Sequence, residues 1–227
     1  MRKIIILIIG IIFYANPIQS QIYYKEIIYI FDYKIEKDDM QIETGLLYLG
    51  CLGKPWPFKE QKQAAVIWST NKAHLSQKMP STGIYEEDDR IWLHPPRQNQ
   101  FSILEYSPFP DIRFPVSKNM NWKRDFIPGK NWINKKYDVK ENDILKFNYR
   151  NIGVVVYNYK NFNLKCWEIN AESINLKNRT SFSGLFNSEY GFIKMIFTNI
   201  DKSIITLEIR QIQSWDLFQS IDIKNAF

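Results

Sequence analysis

Two histidines, His74 and His94, and one acidic run are the residues best suited to acid–base or metal chemistry. His94 follows the acidic residues 86–89 by five to eight positions, and a fold that joined them would create a metal site or an acid–base pair. The spacing gives this little support, because no His-x-x-x-His or Glu-x-x-His pattern accompanies it. We therefore favour a structural role for His94 beside Pro95, with a metal-assisted hydrolase as an alternative.

The motifs of nucleophilic and cofactor-dependent enzymes are missing from the sequence. There is no Gly-x-Ser-x-Gly elbow, since Phe182-Ser183-Gly184 lacks the first glycine, and there is no Gly-rich phosphate loop. A pairing of Cys51 or Cys166 with a histidine stays open, although nothing in the local sequence favours it. The sequence thus predicts no catalytic residue, no bound metal and no cofactor, and it favours a non-enzymatic binding or structural protein.

Aromatic and proline residues alternate in two segments that could bind a ligand. Residues 55–58 are Pro-Trp-Pro-Phe, and residues 109–115 carry Phe-Pro at both ends, so both segments are rigid and extended. Aromatic faces of this kind suit a carrier or sensor for an apolar or glycan ligand, which stays an alternative function, but aromatic loops also plug the ends of β-barrels. The candidate ligand-binding residues are Trp56, His94, Arg97, Phe109, Trp122 and Trp132.

The first twenty residues have the pattern of a secretory signal peptide. Arg2 and Lys3 form a positive start, residues 4–15 are almost continuously apolar, and small Ser20 precedes Gln21 at a suitable cleavage position. We expect cleavage between Ser20 and Gln21 and export to the periplasm or the extracellular space, with an uncleaved membrane anchor as the alternative. Lipidation is not expected, because it needs a cysteine after the cut. No later run approaches the ~18 apolar residues of a transmembrane helix, so we expect none in the mature chain.

The mature chain, residues 21–227, has the size of a single domain, and we predict one β-rich domain there. The net charge falls from +6 to +4 once Arg2 and Lys3 are removed. Lys and Arg are scattered between acidic and aromatic residues instead of forming one basic stripe, so nucleic acid is not an expected partner. A weak attraction to envelope glycans or lipids stays open.

Two cysteines, Cys51 and Cys166, remain after cleavage and could form a disulfide in an oxidising compartment. A bridge across so long a loop would add roughly 3 to 5 kcal/mol of stability where its geometry is unstrained. Both cysteines also stand in apolar sequence, next to Leu52 and Trp167, where a free cysteine packs as a small buried side chain. The sequence leaves both alternatives open.

Strands dominate the rest of the pattern. Short runs rich in Ile, Val and aromatic residues recur between turn residues, which favours strands over helices. The predicted strands are residues 23–35, 42–49, 64–69, 90–93, 101–106, 144–149, 154–159, 164–171, 180–186, 192–198 and 204–212. Residues 50–58 are predicted to form an irregular aromatic loop, and residues 72–89 a surface loop or short helical turn. The spacing predicts an all-β, mainly antiparallel fold: a single-domain β-sandwich or a partly open barrel with long aromatic and proline loops and little helix.

Several short motifs lie between Trp92 and Lys194. They are Trp92-Leu93-His94-Pro95-Pro96-Arg97, the stretch from Leu104 to Pro110, Phe114-Pro115, Trp122, and Glu189-Tyr190-Gly191-Phe192-Ile193-Lys194. Together they resemble uncharacterised exported or lipid-anchored β-proteins of Gram-negative bacteria, especially Bacteroidota, over residues 92–209. The resemblance implies an exported β-rich envelope protein and carries over no catalytic residue. Residues 118–121 are Lys-Asn-Met-Asn where these relatives carry a glycine shortly before the tryptophan.

Overall fold

The structure, a computed structural model, describes residues 21–57, 63–79, 81–129, 133, 135–160 and 162–218. Within them twelve strands form one antiparallel sheet. In chain order the strands are β1 (Glu26–Lys37), β2 (Met40–Pro55), β3 (Gln63–Ser69), β4 (Thr82–Glu87), β5 (Arg90–Leu93), β6 (Asp111–Arg113), β7 (Asn121–Phe126), β8 (Leu145–Tyr159), β9 (Phe162–Ser173), β10 (Ser181–Asn187), β11 (Gly191–Thr198) and β12 (Ile204–Ser214). Helical structure in the same residues comprises α1 (Lys72–Ser76), two 3₁₀ segments (Asn99–Tyr106 and Lys135–Tyr137) and a turn at residues 215–218. The predicted signal peptide and Trp132 lie outside the described residues.

The first and last strands join the two halves of the sheet. Its order is β6-β5-β4-β3-β2-β1-β12-β11-β10-β9-β8-β7. β1 pairs with β12 from Ile27 opposite Ser214 to Glu36 opposite Ile204. β6 and β7 follow each other in the chain, yet they lie at opposite edges of the sheet. The predicted all-β antiparallel fold is confirmed, and the sheet curls into a partly open barrel.

Alternation along each strand sends one set of side chains into the curl. On β12, Ile205, Leu207 and Ile209 are buried, while the residues between them are more exposed. Aromatic residues fill much of this main core, with rings packed edge to face at distances such as 5.2 Å between Phe186 and Phe192. We call the side of the sheet that carries these residues the inner side.

The two edges of the sheet overlap, and we call this overlap the seam. Ile91 of β5 and Ile112 of β6 belong to the main core, so Trp92 and Asp111, which alternate with them, point to the outer side. Asp111 is nevertheless fully buried, because Trp122 of β7 packs over it from the inner side of the other edge. The Trp122 indole N–H donates to Asp111 Oδ2 at 3.2 Å. Side chains therefore close the barrel between two strands that are not paired in the sheet order.

A smaller core lies on the outer side of β1 to β3. Its members are Ile28, Ile30, Leu52, Ala65, Ile67, Leu75, Trp215 and Phe218. The Trp215 indole N–H donates to the carbonyl of Cys51 at 2.8 Å. Gly50 allows this approach, because a Cβ at that position would lie 2.8 Å from the Trp215 ring. Helix α1 and the turn after β12 thus bury the second face of this half of the sheet.

Three predictions of local structure are wrong. Residues 101–106 form a 3₁₀ helix and not a strand, which places Phe101 and Leu104, three positions apart, on one buried face. Residues 50–55 continue β2, because Gly53 adopts a φ of +59° and absorbs a register shift that leaves Pro55 at the strand end. Residues 82–87, inside the segment predicted to be a surface loop or short helical turn, form strand β4, and three of them are buried.

Candidate functional site

Four of the six predicted ligand-binding residues lie together beside the seam. The rings of His94 and Phe109 are 4.6 Å apart, and the Arg97 guanidinium contacts His94 Nε2. Trp122 stacks on Tyr149, whose hydroxyl donates to the carbonyl of Phe109 at 2.9 Å. The fold therefore brings His94, Arg97, Phe109 and Trp122 into one region.

We call His94, Arg97 and Glu105 the buried ion cluster. His94 Nδ1 lies 2.8 Å from the Pro95 carbonyl oxygen, which can only accept, so Nδ1 carries the proton and Nε2 faces Arg97 as an acceptor. Arg97 Nε lies 2.5 Å from Glu105 Oε1, and His94 Nε2 lies 3.5 Å from the same oxygen. The Trp68 indole N–H donates to the His94 carbonyl at 2.7 Å. These contacts fix the loop that follows β5.

Burial governs protonation in this cluster. Loss of solvation and the neighbouring Arg97 charge lower the pKa of His94 to about 3, so the imidazole is neutral. Burial raises the pKa of Glu105 to about 7, against the opposing effect of Arg97. Burial also lowers the pKa of Arg97 itself. Shifts of this kind occur in active sites and in structural networks, so access to the cluster decides between the two.

The buried ion cluster leaves no room for a substrate in the described part of the chain. His94 is 3% exposed and Glu105 is fully buried. Pro96, next to the cluster in the chain, and Phe109, which packs on His94, line cavities of only about 10 and 20 Å³, which is space for single water molecules. Both imidazole nitrogens also have partners already. The geometry supports a structural role for the cluster, which holds residues 94–97 in place.

The acidic run serves a different part of the fold. The Glu86 carboxylate accepts the backbone N–H groups of residues 22, 23 and 24 at 2.5, 2.9 and 3.0 Å. The carboxylate that approaches His94 is Glu105. Across the described residues, no three His, Cys, Asp or Glu side chains form a group that could hold a metal ion. Trp56 lies apart from the other candidates, against the smaller core.

A second set of charged side chains, which we call the seam cluster, surrounds Asp111. Arg90 donates to both carboxylate oxygens, with distances of 2.8 Å and 3.2 Å. Trp122 donates to Oδ2, and Arg124 Nε lies 3.6 Å from the same oxygen. Arg113 completes the cluster, directly opposite Arg90 in the β5–β6 pair. One buried carboxylate thus organises both edges of the sheet.

A groove of about 720 Å³ lies on the outer side of β7 to β11, and we call it the outer groove. Its lining side chains alternate with core residues: Asn148 and Arg150, for example, flank buried Tyr149. A concave site of this volume fits the range of small-ligand sites in proteins. We therefore treat it as a candidate binding site.

Two rows of directly opposed side chains cross the floor of the outer groove. The first row runs Lys123, Asn148, Glu172, Ser181, Thr198. The second row runs Asn121, Arg150, Asn170, Ser183, Ile196. Neighbouring members of a row are separated by the inter-strand distance of about 4.8 Å, and the two rows by two residues along each strand. Apart from Ile196, the floor is therefore a regular array of amide, hydroxyl and charged side chains.

Most of these polar groups have no partner among the residues that the structure describes. In the portion of the chain that the structure describes, no other protein group bonds the side chains of Lys123, Asn148, Ser181, Ser183 and Thr198. Asn170 Oδ1 is buried and has no hydrogen-bond partner there either. Arg150 donates to Asn119 Oδ1 at 2.9 Å, and Glu172 lies 3.8 Å from exposed Arg179. The groove thus offers donors and acceptors that the fold itself does not use.

Beyond Ile152, which lines the outer groove, β8 continues as residues 154–159 and pairs with residues 163–167 of β9 in the far part of a hairpin. Its Tyr157 hydroxyl donates to Glu208 of β12, although β9, β10 and β11 separate β8 from β12 in the sheet. Glu208 also pairs with Lys194 at 3.3 Å on the outer side. The hairpin therefore folds across the outer side, and Ile196 of the groove is the next outer residue after Lys194 on β11.

The two cysteines are buried free thiols and form no disulfide in the structure. Burial and the charge of Glu86 raise the pKa of Cys51, and burial raises the pKa of Cys166 to about 11. The Cys166 thiol lies 3.6 Å from the Leu164 carbonyl. Both cysteines pack in the main core.

Comparison with known proteins adds two distant likenesses. No family model matches this sequence, and no curated protein sequence matches it. Among solved structures, the chain is similar to the hypothetical lipoprotein YmcC from Escherichia coli, with a TM-score of 0.38 and 11% identity over 87% of this chain and 93% of that one. It is also similar to a Bacteroides fragilis protein provisionally described as exported, with a YmcC-like fold, at a TM-score of 0.29 and 8% identity over 82% of this chain and 96% of that one. Both TM-scores are too low to establish a shared fold.

Sequence reasoning did not find the outer groove. Its floor residues are mostly Asn, Ser and Thr with a few charged side chains, spread over five strands, and the two rows cannot be recognised before the strand register is known. The one available signal is that outward positions of β8 to β10 carry short amides and hydroxyls, as in Asn148, Asn170 and Ser183.

In the described ranges, no helix is long and apolar enough to span a bilayer.

Proposed function

We propose that this protein is an exported, non-catalytic β-domain that binds a hydroxyl-rich ligand, a segment of glycan, in the outer groove. The observation that carries the proposal is the array of unpartnered amides and hydroxyls on the groove floor. Asn side chains both donate and accept, and hydroxyls do the same, so the array can pair with a ligand whose own groups are hydroxyls.

The charge and polarity of the groove favour a glycan over an apolar ligand. Its floor carries two cations, Lys123 and Arg150, and one anion, Glu172. Ile152 and Ile196 contribute apolar surface to the lining, while the aromatic side chains of Trp122 and Tyr149 pack together beneath the floor. The slight positive balance also suits a ligand with an occasional acidic group.

Export and the boundary of a single folded domain are part of the proposal. Residues 1–20 carry the signal-peptide pattern, and the resemblance to exported envelope β-proteins points the same way. Ile22 and Tyr23 are buried, and Glu86 bonds the backbone of residues 22–24. A cut between Ser20 and Gln21 would leave all of these contacts in the mature domain.

Calorimetric titration of the mature protein with soluble neutral and uronic-acid-containing oligosaccharides tests the proposal. We expect saturable binding that the double variant Asn148→Ala, Asn170→Ala weakens. Asn158→Ala is the matched control, because Asn158 is an exposed asparagine on the hairpin outside the groove. Binding that is equally strong in the double variant would place the ligand elsewhere, and flat titrations across the panel would contradict the proposal.

A further inference from the structure

Two guanidinium groups at the seam, those of Arg90 and Arg124, contact the Asp111 carboxylate, and a third arginine, Arg113, stands opposite Arg90. Asp111 accepts two hydrogen bonds from Arg90 and one from the Trp122 indole, so its strongest acceptor positions are occupied. Arg124 is left with a longer contact of 3.6 Å. Arg113 makes no ion pair or hydrogen bond with any residue that the structure describes.

Arg113 differs from the other members of the seam cluster because it contacts no partner among the described residues. Its Nε is buried and has no hydrogen-bond partner among the described residues. It also stands directly opposite Arg90 across the β5–β6 pair. Like charges in that position destabilise a sheet, and a buried donor without an acceptor adds a further cost. The fold therefore retains an arrangement that is unfavourable unless an anion accompanies it.

Nearby carboxylates do not balance these charges. Glu87 stands opposite Arg90 on β4, but it forms no ion pair with the arginines in the described residues. Asp125 alternates with Arg124 on β7 and so points to the other side of the strand. Three cations facing one anion leave a surplus of two positive charges. The charges of Arg90 and Arg113 accordingly lower the pKa of Arg124, in addition to the effect of burial.

We propose that the seam binds an oxyanion, in the form of a carboxylate, phosphate or sulfate group, between Arg113 and Arg124. Planar guanidinium groups match such anions with two parallel hydrogen bonds. The Arg124 side chain is 28% exposed and Arg113 is half-buried, so an anionic group can approach from solvent. An anion there would supply the acceptor that Arg113 Nε lacks and would relieve the repulsion across β5 and β6. This site is separate from the outer groove and does not depend on the glycan proposal.

Thermal denaturation of the mature protein in sodium phosphate, compared with sodium chloride at equal ionic strength, tests the site. We expect a saturable rise in Tm with phosphate and no comparable rise with chloride. Arg113→Gln and Arg124→Gln should each raise at least tenfold the phosphate concentration that gives half of the full rise in Tm. Arg179→Gln removes an exposed guanidinium elsewhere and should leave the response unchanged. Glucuronate replaces phosphate in a second arm, and a response to it but not to phosphate would identify the anion as a carboxylate on a sugar.

The ligand-free behaviour of Arg113→Gln separates binding from a structural role. Removing the repulsion and the unpartnered donor should raise the Tm of the ligand-free protein by about 2 to 4 °C. A purely structural arginine would give a lower Tm and an unchanged phosphate response, which would overturn the proposal. Equal Tm shifts with phosphate and chloride, together with none from glucuronate, would also overturn it. Arg113→Lys keeps the charge without the fork and should retain only a weakened response, so the test does not rely on one variant.

Discussion

The Trp122 indole on β7 donates a hydrogen bond of 3.2 Å to the carboxylate of Asp111 on β6, at the opposite edge of the same sheet. Ten strands separate β6 from β7 in the sheet order, yet only a short connection separates them in the chain. The pair shows how the barrel closes: buried polar side chains join two edges that no ladder joins in the described sheet order. The Asp111 carboxylate and its cationic neighbours therefore contribute to closure, together with the hydrogen bond from Tyr149 to the Phe109 carbonyl and the packing of Phe109 on Phe126.

Asp111→Asn should destabilise the protein strongly. The substitution removes the negative charge that Arg90 and Arg124 share in a buried setting, and loss of one partner of a buried pair costs about 3 to 5 kcal/mol. The free energy of unfolding in urea measures the effect. Asp32→Asn is the control, because Asp32 pairs with Arg210 at the exposed surface and should change stability little. Similar losses for both variants would contradict the role assigned to Asp111.

The pH dependence of stability should reflect two opposing groups in the buried ion cluster. The pKa of Glu105 rises from its ordinary 4.5 to about 7, so its stabilising contribution is full below about 4.5 and is lost as pH rises through 7. The pKa of His94 falls from 6.5 to about 3, so its contribution is full above about 6.5 and is lost as pH falls through 3. Between pH 4.5 and 6.5 the two effects on the free energy of unfolding are opposite in sign and cancel. The free energy of unfolding of the wild-type protein should therefore change little with pH in this window.

Single substitutions in the buried ion cluster should reveal how each of the two groups changes the free energy of unfolding with pH. Glu105→Gln leaves the histidine effect alone, so the free energy of unfolding should rise with pH between about 4.5 and 6.5, by at most about 1.4 kcal/mol per pH unit. His94→Gln leaves the glutamate effect, and the free energy should fall over the same window. Urea unfolding at several pH values measures both variants. Parallel curves for the two variants would show that neither group titrates in this way.

The two cysteines should be unreactive in the folded protein. Burial raises the pKa of both thiols, and thiolate is the reactive form. Ellman's reagent at about pH 8 should detect almost no thiol in the native protein and two per chain in concentrated guanidinium chloride without reductant. Fewer than two thiols in denaturant would mean that Cys51 and Cys166 form a disulfide in the isolated protein. A rapid native reaction would contradict their burial.

Asn148→Ala and Asn170→Ala should weaken glycan binding without loss of stability. Each removes one or two hydrogen bonds of about 1 kcal/mol net, or roughly a fivefold loss of affinity per residue. Neither side chain bonds another group in the described residues, so the unfolding free energy should stay close to that of the wild type. Calorimetric titration and urea unfolding of the same samples measure the two effects. A large drop in stability would instead assign these residues a structural role.

Local patterns in the sequence predicted most of the C-terminal strands and the antiparallel class. Residues 192–198 and 204–212 were predicted as strands because apolar and polar residues alternate there, and β11 and β12 cover them. Residues 144–149 and 154–159, predicted as two strands, form the single strand β8 across a register shift between Asn151 and Gly153. A shift of this kind is visible only once the partner strand is known.

Long-range contacts account for what the sequence did not predict. The seam buries Asp111 on the outer side of β6, a position that a simple alternation rule assigns to solvent. The sequence suggests residues 86–89 as carboxylate partners for His94. Its carboxylate neighbour in the structure is Glu105, which stands inside a segment predicted to be a strand. The outer groove depends on the register of five strands, and no local pattern encodes that register.

The most direct measurement is an NMR titration of isotope-labelled mature protein with a mixed pool of envelope-type oligosaccharides, observed at the side-chain amide groups. We expect saturable chemical-shift changes for the side-chain amides of Asn148 and Asn170 on the groove floor and an unchanged chemical shift for the side-chain amide of Asn158. Unchanged Asn148 and Asn170 amides throughout the titration would contradict the assignment of the outer groove as a glycan-binding site.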